Sequence, residues 1–242
     1  MPELHAVVFD YGDTLIRFNY DRAAHVRSLR LLLDHLGAGH VDAERLFEEV
    51  DARLADALEA RGAEGELDFA LVVRESLAAV DVGAEPARVV DAMRAGQRAW
   101  EPQRELHPDT IELLREVRRL GLRTGLVSNT FDPAVLMEED LALQGIDGLI
   151  DVAVFSSALG IRKPHPGIYA RALEQLGAHA SRTLFVGDRV LEDVIGPARA
   201  GMRTCLVTWF RSDSGDHGLA DHVAEDPLDV LHIVTGHRGM HG

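Results

Sequence analysis

Residues 5–15 read HAVVFDYGDTL and combine a short apolar run with an acid and a turn-forming segment. The run from His5 to Asp10 has the length and the composition of a strand that is buried inside a sheet. The residues after Asp10 are mostly polar or small, so the chain is expected to leave the sheet at this point. The stretch therefore predicts a buried first strand whose carboxyl end carries an aspartate.

Strand and helix patterns alternate from residue 108 onwards. We predict helices over residues 108–121, 133–144, 166–177 and 191–200, strands over residues 124–128, 152–156, 183–187, 203–208 and 222–224, and then a last helix. Such alternation is typical of a parallel sheet with helices on both faces. The first strand has the same character and is expected to join that sheet. The final residues, 237–242, read HRGMHG and are predicted to be disordered.

The segment between these parts is different, because residues 21–100 show helical spacing with almost no strand pattern. Four apolar stripes recur there at intervals of three and four residues. Breaks that contain glycine separate the stripes at residues 37–40, 62–65 and 83–86. We therefore predict an α/β protein in which residues 1–16 and 103–242 form a three-layer α/β/α, Rossmann-like core with a parallel sheet. Residues 17–102 are predicted to form an inserted all-α unit.

The composition limits the kinds of partner that the chain can have. Its 242 residues are 46% hydrophobic and carry a formal net charge of −15. That charge argues against nucleic-acid binding, which needs a basic surface. No apolar run approaches the roughly 20 residues that cross a membrane, and residues 1–10 lack the pattern of a secretion signal. We expect a cytoplasmic protein without nucleic-acid or membrane partners, and the sequence indicates no particular oligomeric state.

Cysteine and lysine each occur once in the chain. Cys205 is the only cysteine, which excludes an internal disulfide and a multi-cysteine zinc site. Of the 25 basic residues, 24 are arginine, and the single lysine is Lys163. This lysine lies in the loop after a predicted strand. Its position there favours a specific role for it over a chance occurrence.

Polar residues follow four of the predicted strands. In chain order they are Asp10, Tyr11, Gly12, Asp13 and Thr14; Ser128, Asn129 and Thr130; Ser156, Ser157, Arg162 and Lys163; and Asp188, Arg189, Glu192 and Asp193. The carboxyl ends of parallel strands share one edge of a sheet, and ligands bind outside that edge. The four groups are therefore predicted to converge on one site.

Four segments carry a resemblance to a known family. They read VVFDYGDTL, TGLVSNT, RKPHPGIY and VGDRVLED, and they span residues 7–193 in this order. The chain resembles the haloacid dehalogenase-like hydrolase superfamily, whose four motifs have this order and spacing. The resemblance implies a Mg²⁺-dependent enzyme, most often a phosphatase, and it makes the helical insertion, residues 17–102, a cap domain. Ordered motifs of this number are a far stronger signal than one glycine-rich loop.

The resemblance implies a role for each polar group at the predicted edge. Asp10 would be the nucleophile, which forms an aspartyl-phosphate that water later hydrolyses. Ser128 would bind a phosphate oxygen, and Asn129 would order the same loop. Lys163 would neutralise the charge of Asp10 and of the phosphate.

The same family pattern implies a site for Mg²⁺, a hard cation that prefers oxygen ligands. Asp10 and Asp188 would supply carboxylates to the metal, and Gly12 its backbone carbonyl. Asp193 would act from the second shell or through a metal-bound water, and it would also orient Lys163.

One position departs from the pattern of the family's phosphatases. These enzymes carry a second aspartate two residues after the nucleophile, which protonates the leaving group and then activates water. The position is Gly12 here, and an aspartate follows at Asp13. Glycine cannot perform general acid–base catalysis, which contributes about 10²- to 10⁴-fold. Three interpretations stay open: Asp13 takes the role, the substrate has a good leaving group, or the reaction is not phosphate hydrolysis.

The departure leaves two alternatives to a phosphatase. One is a 2-haloacid dehalogenase-type hydrolase, because dehalogenases of the superfamily also lack the second aspartate. The other is a catalytically weak binding or regulatory module on the same fold. The expected partner is a small phosphorylated molecule, which the cap would enclose and select. Four residues just past the first motif are candidates to face it: Arg17, Tyr20, Arg22 and His25.

Overall fold

A six-stranded parallel sheet forms the centre of the protein. The computed structural model describes residues 3–211 and 217–236. The strands are β1 (Ala6–Phe9), β2 (Ile16–Phe18), β3 (Arg104–Leu106), β4 (Arg123–Ser128), β5 (Val152–Phe155), β6 (Thr183–Gly187), β7 (Arg203–Val207) and β8 (His222–Ala224). Six of them form the sheet in the order β5-β4-β1-β6-β7-β8, and every pairing is parallel. The predicted tail, residues 237–242, lies outside the described residues.

Helices cover this sheet on both faces. Those of the core are α5 (Thr110–Arg119), α6 (Ala134–Leu143), α7 (Ser156–Leu159), α8 (Pro166–Leu176), α9 (Gly196–Arg199) and α10 (Pro227–Gly236). Alternate residues of β1 point to opposite faces, so Val7 and Phe9 pack in one apolar cluster with α5 and α10. Ala6 and Val8 pack in another cluster with α8. The predicted three-layer α/β/α core is confirmed.

Four helices form the inserted all-α unit. They are α1 (Arg22–His35), α2 (Ala43–Ala60), α3 (Phe69–Ala79) and α4 (Pro86–Gly96), and a 3-10 helix (Gln97–Gln103) follows them. The first three begin at aspartates whose side chains accept hydrogen bonds from backbone N–H groups of the first turn. The unit has its own apolar core, which α6 joins through Leu136. The predicted helical insertion is therefore present.

Two short strands connect the helical unit to the core. β2 and β3 pair antiparallel, with Ile16 opposite Leu106 and Phe18 opposite Arg104. The sequence analysis did not predict either strand. Each is only three residues long, which is too short for an alternating pattern to appear.

The helix predicted over residues 191–200 has a different geometry. The chain instead forms a wide π-helical turn (Val190–Ile195) and then α9. Such turns are rare and are frequently found at functional sites. Here the turn contains Asp193, whose side chain is completely buried. Among the helices in the described part of the chain, none has the length and hydropathy that a membrane crossing requires.

Candidate active site

Asp10 stands at the carboxyl end of the central strand. Its backbone N–H extends the sheet by donating to the carbonyl of Val186, 2.9 Å away. The neighbours of β1 on either side are β4 and β6, so the loops after all three strands meet at Asp10. The residue is 7% exposed and lines a cavity of about 490 Å³. The topology therefore places this carboxylate where a bound molecule can reach it.

Lys163 forms two enclosed ion pairs at the site. Its side chain is only 1% exposed, and its Nζ donates to Asp10 Oδ1 at 2.7 Å and to Asp193 Oδ1 at 2.6 Å. Burial by itself lowers the pKa of Lys163, but the two carboxylates outweigh it and hold the pKa above its usual value. The lysine is therefore a cation at neutral pH.

Asn129 fixes the backbone that carries this lysine. Its Nδ2 donates to the carbonyl of Lys163 at 3.1 Å, and its Oδ1 accepts from the N–H of Lys163 at 2.8 Å. These two bonds join the loop after β4 to the loop after β5. Because the lysine backbone is held at both polar groups, its side chain approaches Asp10 from a defined direction.

Three carboxylates form a cluster that can hold a metal ion. Oxygen atoms of Asp10, Asp188 and Asp193 lie within 4.8 Å of one another. Both oxygens of buried Asp188 lack a hydrogen bond from the described residues, although Arg211 Nε lies 3.4 Å from Oδ2. Burial first, and then the charges of Asp10 and Asp193, raise the pKa of Asp188. Excess negative charge and an unbonded carboxylate fit a hard cation with oxygen ligands.

Asp193 is less available to a cation than Asp188. Its Oδ1 accepts from Lys163, and its Oδ2 accepts from the backbone N–H of Arg189 at 2.9 Å. A side chain at Gly187 would collide with it, because an ideal Cβ there lies 2.5 Å from the Asp193 carboxyl carbon. The π-helical turn and this glycine together allow Asp193 to reach under the sheet edge to the lysine.

The other predicted site residues surround Asp10 in the cavity. Gly12, Asp13, Ser128 and Asn129 all line it. Asp13 has a left-handed backbone with φ of +57°, which aspartate tolerates, and its Oδ2 lies 3.7 Å from Arg211 Nη1. An ideal Cβ at Gly12 would meet no atom within 4 Å. The space that a longer side chain would occupy at position 12 is therefore open.

The four candidates just past the first motif lie in two different places. Tyr20 and His25 line a second cavity, inside the helical unit. Arg17 lies 4.0 Å from Glu105 on the neighbouring strand, and Arg22 pairs with Glu44 on α2 at 2.7 Å. Neither arginine lines the active-site cavity or the second cavity. Their charges are used in surface ion pairs instead.

The helical unit contributes residues that the sequence analysis missed. Arg61 and Glu66 line the active-site cavity from the loop after α2. The N–H of Glu66 donates to the carbonyl of Gly160 at 3.0 Å, and its Oε2 accepts from Ser156 Oγ at 2.7 Å. The N–H of Arg162 donates in turn to the carbonyl of Glu64. This loop lies in a break between helical stripes, so no periodic pattern marks it.

A second missed group also lines the active-site cavity. Arg104 Nη1 donates to Asp140 Oδ1 at 2.7 Å, and the hydroxyl of Tyr11 donates to Asp140 Oδ2 at 2.6 Å. Asp132 lines the same cavity, four residues after Ser128. Because it directly follows the second motif, the sequence could have identified it as a candidate site residue. Arg104 and Asp140 meet only through the tertiary structure.

Known proteins are similar to this chain in sequence. A sequence model of the haloacid dehalogenase-like hydrolases matches residues 4–201. A glyceraldehyde 3-phosphate phosphatase of Methanopyrus kandleri is 27% identical over 236 residues, which cover 96% of this chain and 97% of that protein.

Two solved structures resemble this fold. A 2-haloacid dehalogenase from Pseudomonas syringae pv. Tomato superimposes with a TM-score of 0.70 at 20% identity and covers 96% of this chain and 99% of that chain. A HAD phosphatase from Thermococcus onnurineus superimposes with a TM-score of 0.62 at 21% identity, with the same coverage. At these identities the likeness concerns the fold alone.

Proposed function

The chain belongs to the haloacid dehalogenase-like hydrolases, and we propose that it is a Mg²⁺-dependent phosphatase that acts on small phosphate esters. The observation that carries this proposal is the Asp188 carboxylate, which is buried without a hydrogen bond and lies in the same cluster as Asp10 and Asp193. In the described residues, Lys163 and Arg211 form the ion pairs of these three carboxylates. One negative charge of the cluster is therefore left over, and burying it is costly unless a bound cation balances it. The relative from Methanopyrus kandleri, named for a small phosphorylated substrate, supports the same reaction class.

In the proposed mechanism, Asp10 is the nucleophile. Lys163 holds its Oδ1, which leaves Oδ2 to form a bond to phosphorus while the ester P–O bond breaks. The alcohol oxygen leaves with the bonding electrons and takes up a proton. Water then attacks the phosphorus of the aspartyl-phosphate, which releases inorganic phosphate and restores the carboxylate.

The charges around Asp10 suit this reaction. Ser128 would donate its hydroxyl to a phosphate oxygen, and Lys163 would neutralise the charge of the phosphate and of Asp10. Mg²⁺, when bound, would supply further positive charge at the transferred group. Asp10, Asp188 and the carbonyl of Gly12 would hold it, and Asp193 would act through Lys163 or through water, because both of its oxygens are engaged.

Proton transfer to the leaving group should be the slow step with ordinary alkyl phosphates. Gly12 offers no acid, and Asp13 is the carboxylate that follows it in the cavity wall. We propose that Asp13 performs acid–base catalysis inefficiently, since its side chain lies near Arg211 and its backbone is held in a left-handed turn. Turnover should then depend steeply on the pKa of the leaving group, and Asp13→Asn should steepen it further.

We also propose that residues 17–102 act as a cap over a catalytic core of residues 1–16 and 103–242. The helical unit has its own apolar core, and two short strands, β2 and β3, connect it to the rest. The contacts of Glu66 with Gly160 and Ser156 join the two parts beside the cavity. Closure of such a cap would exclude water from the site.

A 2-haloacid dehalogenase is the second candidate. The absence of an acid at Gly12 favours it, because displacement of a halide needs no proton transfer to the leaving group. The carboxylate cluster argues against it, since without a metal three buried carboxylates are balanced by only Lys163 and Arg211 among the described residues.

One assay separates these reactions. The purified protein is incubated with p-nitrophenyl phosphate and, in parallel, with 2-chloropropionate, each with Mg²⁺ and with EDTA. Phosphate release that needs Mg²⁺ and is lost in Asp10→Asn supports the phosphatase. The matched control is Asp147→Asn, which changes an exposed aspartate at which we place no function. Chloride release that persists in EDTA would show that the protein is a dehalogenase and not a phosphatase.

A further inference from the structure

The second cavity adjoins the active site. It has a volume of about 230 Å³ and lies mainly among α1, α2, α3, α4 and the 3-10 helix that follows them. Three of its lining residues, Arg104, Phe131 and Asp132, also line the active-site cavity. A molecule whose phosphate lies at Asp10 therefore has an adjoining compartment for the rest of its structure.

Five aromatic rings line this compartment together with aliphatic side chains. Tyr20, His25 and Trp100 form one group, with ring centroids 5.6 Å apart for His25 and Trp100 and 6.0 Å apart for Tyr20 and Trp100. Phe69 and Phe131 form another, at 4.9 Å. Burial lowers the pKa of His25, so its imidazole is neutral at neutral pH. Such walls favour a flat ring, which can contact aromatic faces and edges.

A guanidinium with unused donors lies at the junction of the two cavities. The side chain of Arg104 is 8% exposed, and its Nη1 donates to Asp140 and to Gln97. Its Nε and Nη2 have no acceptor among the described residues. Since both cavities are lined by this residue, an acceptor on a bound molecule can take a hydrogen bond from a donor that the protein does not use.

Asp132 adds an acceptor beside these donors. Within residues 3–211 and 217–236, no group donates a hydrogen bond to its carboxylate. Burial raises the pKa of Asp132, Arg104 opposes the rise, and Asp140 adds to it. The residue is half-buried in the wall shared by the two cavities, so a donor on a bound molecule can reach this carboxylate.

We propose that the second cavity binds a planar ring of the substrate that carries a hydrogen-bond acceptor and a donor side by side, as a nitrogen heterocycle does. The acceptor pairs with Arg104, the donor pairs with Asp132, and the ring lies against Trp100. This inference rests on the proposed phosphatase function, and it makes the substrate a phosphate ester of a heteroaromatic alcohol or nucleoside instead of a triose phosphate. Pockets of this kind take their specificity from a few polar groups in an apolar wall.

Three phosphate esters test the proposal by kinetics. Uridine 5′-monophosphate has the ring with both polar groups, benzyl phosphate has a ring without them, and glycerol 3-phosphate has no ring. We expect kcat/KM for the uridine ester to exceed that for glycerol 3-phosphate at least about tenfold, because hydrogen bonds to charged groups contribute that much. Asp132→Asn should remove about tenfold for the uridine ester alone, and Trp100→Leu should reduce both ring esters.

The comparison distinguishes two failures. If glycerol 3-phosphate is hydrolysed with Mg²⁺ and Asp10 as well as the uridine ester is, and neither variant changes the ratio, the ring site is wrong and the phosphatase stands. If none of these esters is hydrolysed and p-nitrophenyl phosphate is not hydrolysed either, the phosphatase is wrong. Binding then tests the ring site separately: uridine 5′-monophosphate should quench the tryptophan fluorescence of Asp10→Asn, and the quench should disappear when Trp100→Phe is added. An unchanged quench in that double variant would overturn the ring site.

Discussion

Restoring an acid at position 12 should accelerate the enzyme. An ideal Cβ at Gly12 meets no atom within 4 Å, and the residue is absent from those with positive φ. The Cβ that Gly12→Asp adds therefore meets no clash and no backbone strain, and position 12 lines the same cavity as Asp10. The variant tests directly whether proton transfer limits the wild-type enzyme.

The size of the gain follows from the step that is missing. General acid–base catalysis contributes about 10²- to 10⁴-fold, which corresponds to about 2.7–5.4 kcal/mol of barrier. Asp13 supplies part of this in our proposal, so we expect the lower end, roughly 100-fold in kcat for an alkyl phosphate. For p-nitrophenyl phosphate the gain should be much smaller, because its leaving group needs little protonation.

The assay measures kcat for a series of phosphate esters with leaving groups of different pKa. Gly12→Asp should flatten the dependence of kcat on that pKa. Gly12→Asn is the matched control, since it has the same shape and cannot transfer a proton. If Gly12→Asp hydrolyses none of the esters faster than Gly12→Asn does, the wild-type enzyme is not limited by the lack of an acid at position 12.

Three further predictions follow from other contacts. Mg²⁺ should raise the Tm of the wild type but not that of Asp188→Asn. Without metal, Asp188→Asn should be more stable than the wild type, because the buried carboxylates of the wild type repel one another. Calorimetry that shows equal stabilisation of both proteins by Mg²⁺ would contradict this prediction. In a urea titration, Gly96→Ala should destabilise the helical unit by about 1–3 kcal/mol, because the new Cβ would lie 2.8 Å from the carbonyl oxygen of Ser28. The control is Gly148→Ala, whose Cβ would meet nothing within 4 Å, and it should leave the free energy of unfolding unchanged. Burial raises the pKa of the Cys205 thiol from 9.0 to about 12, so a thiol reagent at pH 8 should label it only after unfolding. Since the folded state keeps this proton longer than the unfolded state, the free energy of unfolding should also fall as the pH rises above about 9.

The sequence was sufficient for the sheet and for the residues at its edge. Asp10, Lys163, Asp188 and Asp193 come from three separate loops, and the structure brings them together at the ends of β1, β5 and β6. This could be foreseen because each buried strand has a local apolar pattern, and parallel strands necessarily place their carboxyl ends on one side. The helical insertion was equally visible from its spacing.

The tertiary structure alone decided how the helical unit faces the site. β2 and β3 pair residues that are about 90 positions apart, such as Ile16 with Leu106, and Glu66 of the helical unit meets Ser156 of the core across 90 positions. Periodicity reports which face of a helix is buried, but it contains no information about the neighbour against which that face packs.

The loop after the first strand shows both limits in a few residues. The sequence alone determined that position 12 has no carboxylate and that Asp13 follows it. Only the fold decided that the space above Gly12 is open and that Asp13 lies near Arg211. The physical reason is that the identity of a side chain is local, whereas the free volume and the charges around it are set by chain segments that reach the site from elsewhere in the fold.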